Sequence, residues 1–196
     1  MKLHHSAASP FGRKVDAVAL HHGIAIERVA SNPHLSPEAL LADNPLSKVP
    51  ALVTDDGMTL PDSPLICEYL DSIGTAAKLF PASDTARWKA LRLAALADGI
   101  LTAAVLRRGQ SQMPQEEARM ATIARQKAAV ARTLDLLESE GVPNALDIGT
   151  IGVVCALGYL DFRFGDEDWR VGRPKLQAFF DAQMQNPIFV DTVPRG

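Results

Sequence analysis

The sequence predicts a two-part fold: a small mixed α/β unit followed by an all-helical bundle. Three observations carry this expectation. Over residues 1–75 short apolar runs alternate with amphipathic stretches, the pattern of strands interleaved with helices. Asp55-Asp56-Gly57 separates two of those runs, a strong hairpin signal. Beyond residue 84 strand-type runs stop and helical periodicity takes over.

Taken in order, Met1–Ser6 reads as a first strand. Ser9-Pro10 precedes an amphipathic helix over Phe11–His22, with Pro10 at the first helical position and Gly23 as the stop. Ile24–Val29 reads as a second strand. Ser36–Ala42 is a short helix with Ser36 as N-cap and Pro37 in the first turn. Residues 44–50 form a loop rich in turn formers. Ala51–Thr54 and Met58–Leu60 are the hairpin strands, and Asp62-Ser63-Pro64 opens a helix that runs to Ile73 and ends at Gly74.

Residues 76–84 are a linker, which divides the chain into 1–75 and 85–196. Thr85–Gly109 is a long helix with Trp88, Leu91, Ala95 and Leu96 on one face. Gln115–Glu140 is a second, with Ile123, Val130, Leu134 and Leu137 aligned. Thr150–Phe164 is apolar on nearly every side, which belongs at the centre of a bundle. Pro174–Gln185 is a last amphipathic helix, and Pro187 opens a short tail.

The totals exclude several functions. Net charge is -3 and 22% of residues are charged, so the chain offers no general attraction to nucleic acid. Cys67 and Cys155 lie far apart in apolar runs and form no CxxC or metal spacing, so they read as buried thiols. The N-terminal MKLHHSAASPFGRK lacks a signal-peptide core, and no apolar run approaches the ~20 residues of a membrane span. A cytoplasmic protein is expected. His4 and His5 alternate across a strand, so they do not share a metal. No P-loop, dinucleotide fingerprint or Ser-His-Asp set is visible, and Trp88 and Trp169 read as packing residues.

The chemistry is sought at two helix starts, Ser9-Pro10 and Ser63-Pro64. A helix N-terminus carries unpaired N–H groups and about half a positive charge, so it holds anions. Each serine reads first as an N-cap worth ~1 kcal/mol. The functional alternative is that one start holds a carboxylate and the other stabilises a thiolate. A free thiol with a pKa of ~8.5 is mostly protonated at neutral pH, and a hydroxyl donor at a helix start favours its anion. For Val49-Pro50, trans is the prevalent isomer. A cis bond would leave the Val49 N–H and C=O free to pair with a peptide-like ligand.

Four segments together resemble the glutathione S-transferase superfamily in its bacterial cytosolic branches: Ser9 to Lys14, Asn44 to Leu52, Asp62 to Leu70, and Thr150 to Phe164. The likeness covers nearly the whole chain. It implies a thioredoxin-like domain and then a helical domain, with glutathione as co-substrate and no metal. It implies a cis bond before Pro50, with the Val49 backbone pairing the cysteinyl part of glutathione. Asp62 and Ser63 would hold the γ-glutamyl end, Ser63 by hydroxyl and backbone N–H. Lys48 would meet the glycyl carboxylate, Phe11 would line the site, and Ser9 takes the thiol-stabilising position. The resemblance also implies a homodimer, in which Asp98 would either reach the γ-glutamyl amine held by the partner subunit or stand as an exposed helix residue. Val153 stands where the family's helix-capping box carries Asp, so one reciprocal hydrogen bond is expected to be missing.

The resulting expectation is a glutathione transferase of the detoxification type. The thiolate would attack an apolar electrophile between the domains, against Phe11 and the helix near Ala104–Arg108. Arg107 and Arg108 would favour an anionic substrate or simply complement the helix dipole. Glutathione-dependent disulfide reduction, and glutathione binding without turnover, are the alternatives. A protein cysteine at the Ser9 position is excluded by the sequence.

Overall fold

The structure is a computed structural model and describes residues 1–195. It divides into two compact units: Met1–Ala82 together with the chain from Pro187 onward, and Ser83–Asn186. This is a thioredoxin-like α/β domain with a four-stranded mixed sheet, followed by an all-helical domain.

In the first unit β1 (Lys2–His5), α1 (Pro10–His22) and β2 (Glu27–Ala30) form a parallel βαβ element. β3 (Ala51–Val53) pairs antiparallel with β1, and β4 (Thr59–Pro61) with β3, giving the order β2-β1-β3-β4. Alternation along β1 sends successive side chains to opposite faces. His5 bonds Asp16 of α1 at 2.8 Å, and a Cβ on Gly12 would come within 3.1 Å of the His5 ring, so α1 covers that face closely. His4 points the other way. It bonds Asp43 of α2 (Glu38–Asp43) at 2.7 Å and Ser31 at 2.9 Å. Serine, histidine and aspartate therefore do meet, contrary to the sequence reading. His4 is fully buried and the Ser31 hydroxyl also donates to the Val29 carbonyl, so this set ties β1 to α2.

Several boundaries differ from the expectation. β2 starts at Glu27 because the chain leaves α1 through Gly23 in the left-handed region and only then comes alongside Lys2. Ser36 does not cap α2. It sits at φ 44 as the C-cap of a 3-10 turn over Pro33–Leu35, and Pro37 takes the N-cap position. α3 (Ser63–Ile73) begins one residue early because the Asp62 side chain accepts the Ser63 N–H at 2.8 Å. Asp62, not Ser63, is the cap. Gly74 ends α3 without a left-handed turn. Its lack of a side chain admits His22, whose ring would lie 2.2 Å from a Cβ there. His22 in turn bonds Asp71, which also accepts the Leu79 and Phe80 N–H groups and fastens the following segment to α3.

The second unit holds α4 (Asp84–Ser111), α5 (Glu117–Glu140), α6 (Ile148–Arg163) and α7 (Pro174–Gln183). The inner stripe of α4 is not the predicted one. Ala90, Ala94, Ala97, Ile100, Leu101 and Ala104 are buried, whereas Trp88 is 71% exposed. Alanine is a weak marker of a buried face, but here it permits close approach. A Cβ on Gly149 of α6 would lie 2.6 Å from the Ala90 carbonyl oxygen, and one on Gly152 3.1 Å from Ala97 Cβ. α6 is buried along Ile148–Leu160, as its uniform apolarity predicts.

The capping box of α6 is complete, against expectation. Asp147 is the N-cap and Thr150 the third helical residue, so the acid and hydroxyl exchange roles and the box lies one turn earlier. The Thr150 N–H donates to Asp147 Oδ1 at 2.9 Å, and the Asp147 N–H to Thr150 Oγ1 at 2.9 Å. Trp169 packs as expected, edge-on to Phe180, with its indole N–H on Asp161. Pro187 opens α8 (Pro187–Val190), which returns to the first unit, where Arg13 donates to the Phe189 carbonyl at 3.1 Å. Both cysteines are buried, and neither is in a disulfide. No described helix is long and apolar enough to cross a membrane.

Candidate functional site

Sheet register places the predicted site residues at one end of the first unit. His4 lies opposite Ala51, and Ala51 opposite Pro61. The chain leaving β1 toward Ser9, the chain entering β3 through Val49-Pro50, and the chain leaving β4 into Asp62-Ser63 therefore emerge at the same sheet edge. In open α/β sheets such an edge, where strands feed helix N-termini, is where ligands settle.

Each segment exposes hydrogen-bonding capacity there. Ser9 caps α1, its Oγ accepting the Gly12 N–H at 3.1 Å. Capping uses an acceptor lone pair and leaves the hydroxyl hydrogen available. Val49–Pro50 is a cis peptide, as the resemblance implies and against the general prevalence of trans. The Val49 N–H and C=O make no hydrogen bond among the described residues. Asn44 shapes the loop before it, its amide donating to the Lys48 carbonyl at 2.9 Å and its Oδ1 accepting from the Leu46 N–H at 3.1 Å. Lys48 itself is exposed, and Phe11 on α1 is half-buried.

The start of α3 is the most constrained part. Asp62 holds φ 70 and ψ 139, a conformation that L-residues rarely adopt and that costs of order 1–3 kcal/mol. Its carboxylate engages the Ser63 N–H, the group expected to meet a ligand carboxylate, so that N–H is already occupied. The Ser63 hydroxyl is fully buried and has no hydrogen-bond partner among the described residues. A buried, partnerless hydroxyl in a native structure calls for an explanation, and an absent ligand is a standard one.

The helical unit places Arg107 and Arg108 differently from each other. Arg107 is consumed by a two-point bond to Glu167 and lies 4.3 Å over the Phe164 ring. Arg107, and then Lys127, hold the Glu167 carboxyl below its ordinary pKa. Arg107 is therefore structural, and the expectation that it favours an anionic substrate fails. Arg108 makes no salt bridge among the described residues. Asp98 is half-buried on α4. Asn44 opens the turn-rich loop that the sequence places before Pro50, and its two side-chain bonds hold that loop in shape.

Comparisons with known proteins agree with this architecture. Residues 3–76 match the family model for the glutathione S-transferase N-terminal domain, and residues 120–182 that for its C-terminal domain. The chain is 33% identical over 199 residues to the uncharacterised GST-like protein YibF of Escherichia coli strain K12, covering 99% of this chain and 98% of that one. A crystal structure of a glutathione transferase family member from Pseudomonas fluorescens Pf-5 with bound glutathione superposes with a TM-score of 0.93 at 38% identity, covering 100% and 99% of the two chains. A structure of a Pf-5 family member with bound S-(propanoic acid)-glutathione gives 0.88 at 36% identity, covering both chains fully.

Proposed function

Since this chain belongs to the glutathione S-transferase superfamily, we propose that it is a glutathione transferase that binds glutathione at the sheet edge of its first unit. The observation that carries the reading is the orphaned Ser63 hydroxyl, buried at a helix N-terminus where a carboxylate is favoured. The relative crystallised with glutathione supports the choice of ligand. In this reading Ser63 and Asp62 hold the γ-glutamyl end, the open Val49 backbone pairs with the cysteinyl unit beside Pro50, Lys48 meets the glycyl carboxylate, and Phe11 lines the pocket.

Ser9 acts on the sulfur. Its oxygen stays on the Gly12 N–H while its hydrogen donates to the thiolate, and the N-terminus of α1 adds its partial positive charge. The thiol proton passes to water. The thiolate then forms a C–S bond to an electrophilic carbon; a leaving group departs with its electron pair, or an activated alkene takes a proton at the adjacent carbon. A cytoplasmic, homodimeric enzyme fits this role.

A second reading is binding without turnover, and the Ser9 cap favours it: a hydroxyl already engaged in its own helix need not serve a ligand. Steady-state turnover of a generic aromatic electrophile and of a small disulfide separates the two. The transferase reading expects conjugation that falls ~10-fold or more in Ser9→Ala while glutathione binding persists, by analogy with the loss of one oxyanion donor. Absence of conjugation in a wild-type protein that binds glutathione would select the non-catalytic reading.

A further inference from the structure

Ser9 sits between two links to the segment that follows α7. The turn that delivers it from β1 is closed by the Ser9 N–H on the Ser6 carbonyl at 2.8 Å, and α1 runs on with the Arg13 N–H on the Ser9 carbonyl at 3.0 Å. Two residues before Ser9, the Ala7 carbonyl accepts the Arg195 N–H at 3.1 Å. Four residues after it, one turn into α1, the Arg13 guanidinium reaches the same segment. It donates from Nη2 to the Phe189 carbonyl at 3.1 Å and from Nε, at a longer 3.5 Å, to Thr192 Oγ1, which itself donates to the Ile188 carbonyl at 2.6 Å. Arg13 is 3% exposed, and a guanidinium is expensive to take out of water unless its donors are used. Phe189 is fully buried and anchors α8 beside α1. Beyond it packing gives out. Asp191, Val193 and Arg195 are exposed, and a cavity of about 320 Å³ lies among His5, Ala7, Arg13, Asp16, Val193 and Arg195. Hydrogen bonds rather than apolar contacts therefore fix residues 191–195 over the start of α1.

We propose that the segment Phe189–Arg195 is a clasp that positions the Ser9 hydroxyl, with Arg13 as the positioning residue on α1. A hydrogen bond that acts on a reacting sulfur needs placement within about 0.5 Å, which a serine on a short turn does not secure by itself. The clasp holds the chain on both sides of Ser9 and leaves its hydroxyl hydrogen to the ligand. Resting on the transferase reading, the consequence is chemical. With the clasp loosened, glutathione is still held through Ser63 and the Val49 backbone, but Ser9 no longer lowers the pKa of its thiol.

Amide hydrogen exchange in the free protein reads the clasp by itself, at Ser9 and Gly12, whose N–H groups close the turn and the cap. Arg195→Pro removes the N–H on Ala7, and Arg13→Met removes the side-chain donors. Each is expected to speed that exchange ~10-fold through local opening. Melting temperatures check folding, and Arg195→Pro, at an exposed position, carries the test if Arg13→Met does not fold. Ultraviolet titration of the glutathione complex should then show the bound thiol raised by about one unit, with affinity for glutathione changed less than ~3-fold. Arg13→Lys, which keeps a donor for the Phe189 carbonyl, should recover part of the shift. Thr150→Val, in the helical unit, should lower the melting temperature and leave the thiol where it is. Unchanged exchange in both clasp variants overturns the clasp. Faster exchange with an unmoved thiol overturns the positioning role. A shift as large in Arg195→Ala, which keeps the N–H, or in Thr150→Val overturns it too, because charge or general stability would then be the cause. A wild-type thiol that is not lowered, with exchange faster in the variants, overturns the reading of Ser9 and leaves the clasp a structural tie.

Discussion

Replacing Ser63 with alanine should make the free protein more stable and a poorer binder of glutathione. The Ser63 hydroxyl is buried with no partner, and its neighbours on α3, Ile66, Cys67 and Leu70, are buried as well. An unsatisfied buried polar group costs about 1–3 kcal/mol, so removing it should return roughly 1 kcal/mol once the small void is allowed for. In a chain of 196 residues that raises the melting temperature by ~2–4 °C. Binding moves the other way. Rotation about a single side-chain torsion turns the hydroxyl onto a carboxylate, and a hydrogen bond to a charged group contributes about 1.5–3 kcal/mol. Ser63→Ala should therefore weaken glutathione by roughly 10- to 100-fold at 1.4 kcal/mol per decade. Thermal unfolding without ligand, followed by calorimetric titration, reads both quantities on one preparation. A variant that melts lower than wild type in the free state, or that binds glutathione equally well, would refute the reasoning, because the hydroxyl would then be a structural partner or irrelevant to the ligand.

Other expectations follow from packing and charge. Gly149→Val should destabilise by about 2–3 kcal/mol, since its Cβ would meet the Ala90 carbonyl at 2.6 Å; Gly152→Ala should change stability by less than ~1 kcal/mol, its 3.1 Å approach to a methyl group being offset by the better helix propensity of alanine. Chemical denaturation of the pair checks the α4–α6 crossing, and equal effects would contradict it. Thr150→Val should cost ~1–2 kcal/mol by the same assay, because the buried Thr150 hydroxyl accepts the Asp147 N–H. The Asp43 carboxyl is held below its ordinary pKa by hydrogen bonds from Lys2 and then His4. A depressed folded-state pKa contributes stability above the unfolded value of ~3.9 and loses it as pH falls through the folded value. The stability difference between wild type and Asp43→Asn should thus be constant near neutrality and shrink below about pH 4; a difference independent of pH would show that the Lys2 and His4 bonds do not depend on the charge.

The order of elements was legible because strands, helices and the Asp-Asp-Gly turn have different local periods, and the central helix announced itself by uniform apolarity. Ser9 was legible as a cap because Ser-Pro is a local signature. Ser63 was misread as a cap because the sequence places two capping residues in succession, and only the backbone shows that Asp62 takes the role at positive φ. The face of α4 was misassigned for a related reason. Large residues dominate a periodicity count, whereas this helix buries alanines against glycines and leaves Trp88 outside. The α6 capping box was missed because a box works with acid and hydroxyl in either order. That Arg107 is occupied depends on Glu167, sixty positions beyond it in the chain.

The central claim is that the first unit binds glutathione and that Ser9 stabilises its thiolate. Ultraviolet difference titration of the thiolate in the glutathione complex tests this directly. In wild type the bound thiol should ionise at least about one unit below the ~8.5 of a free thiol, and in Ser9→Ala it should return toward that value, each unit representing ~1.4 kcal/mol. An unshifted thiol in the wild-type complex, or the same lowered value in Ser9→Ala, would contradict the account.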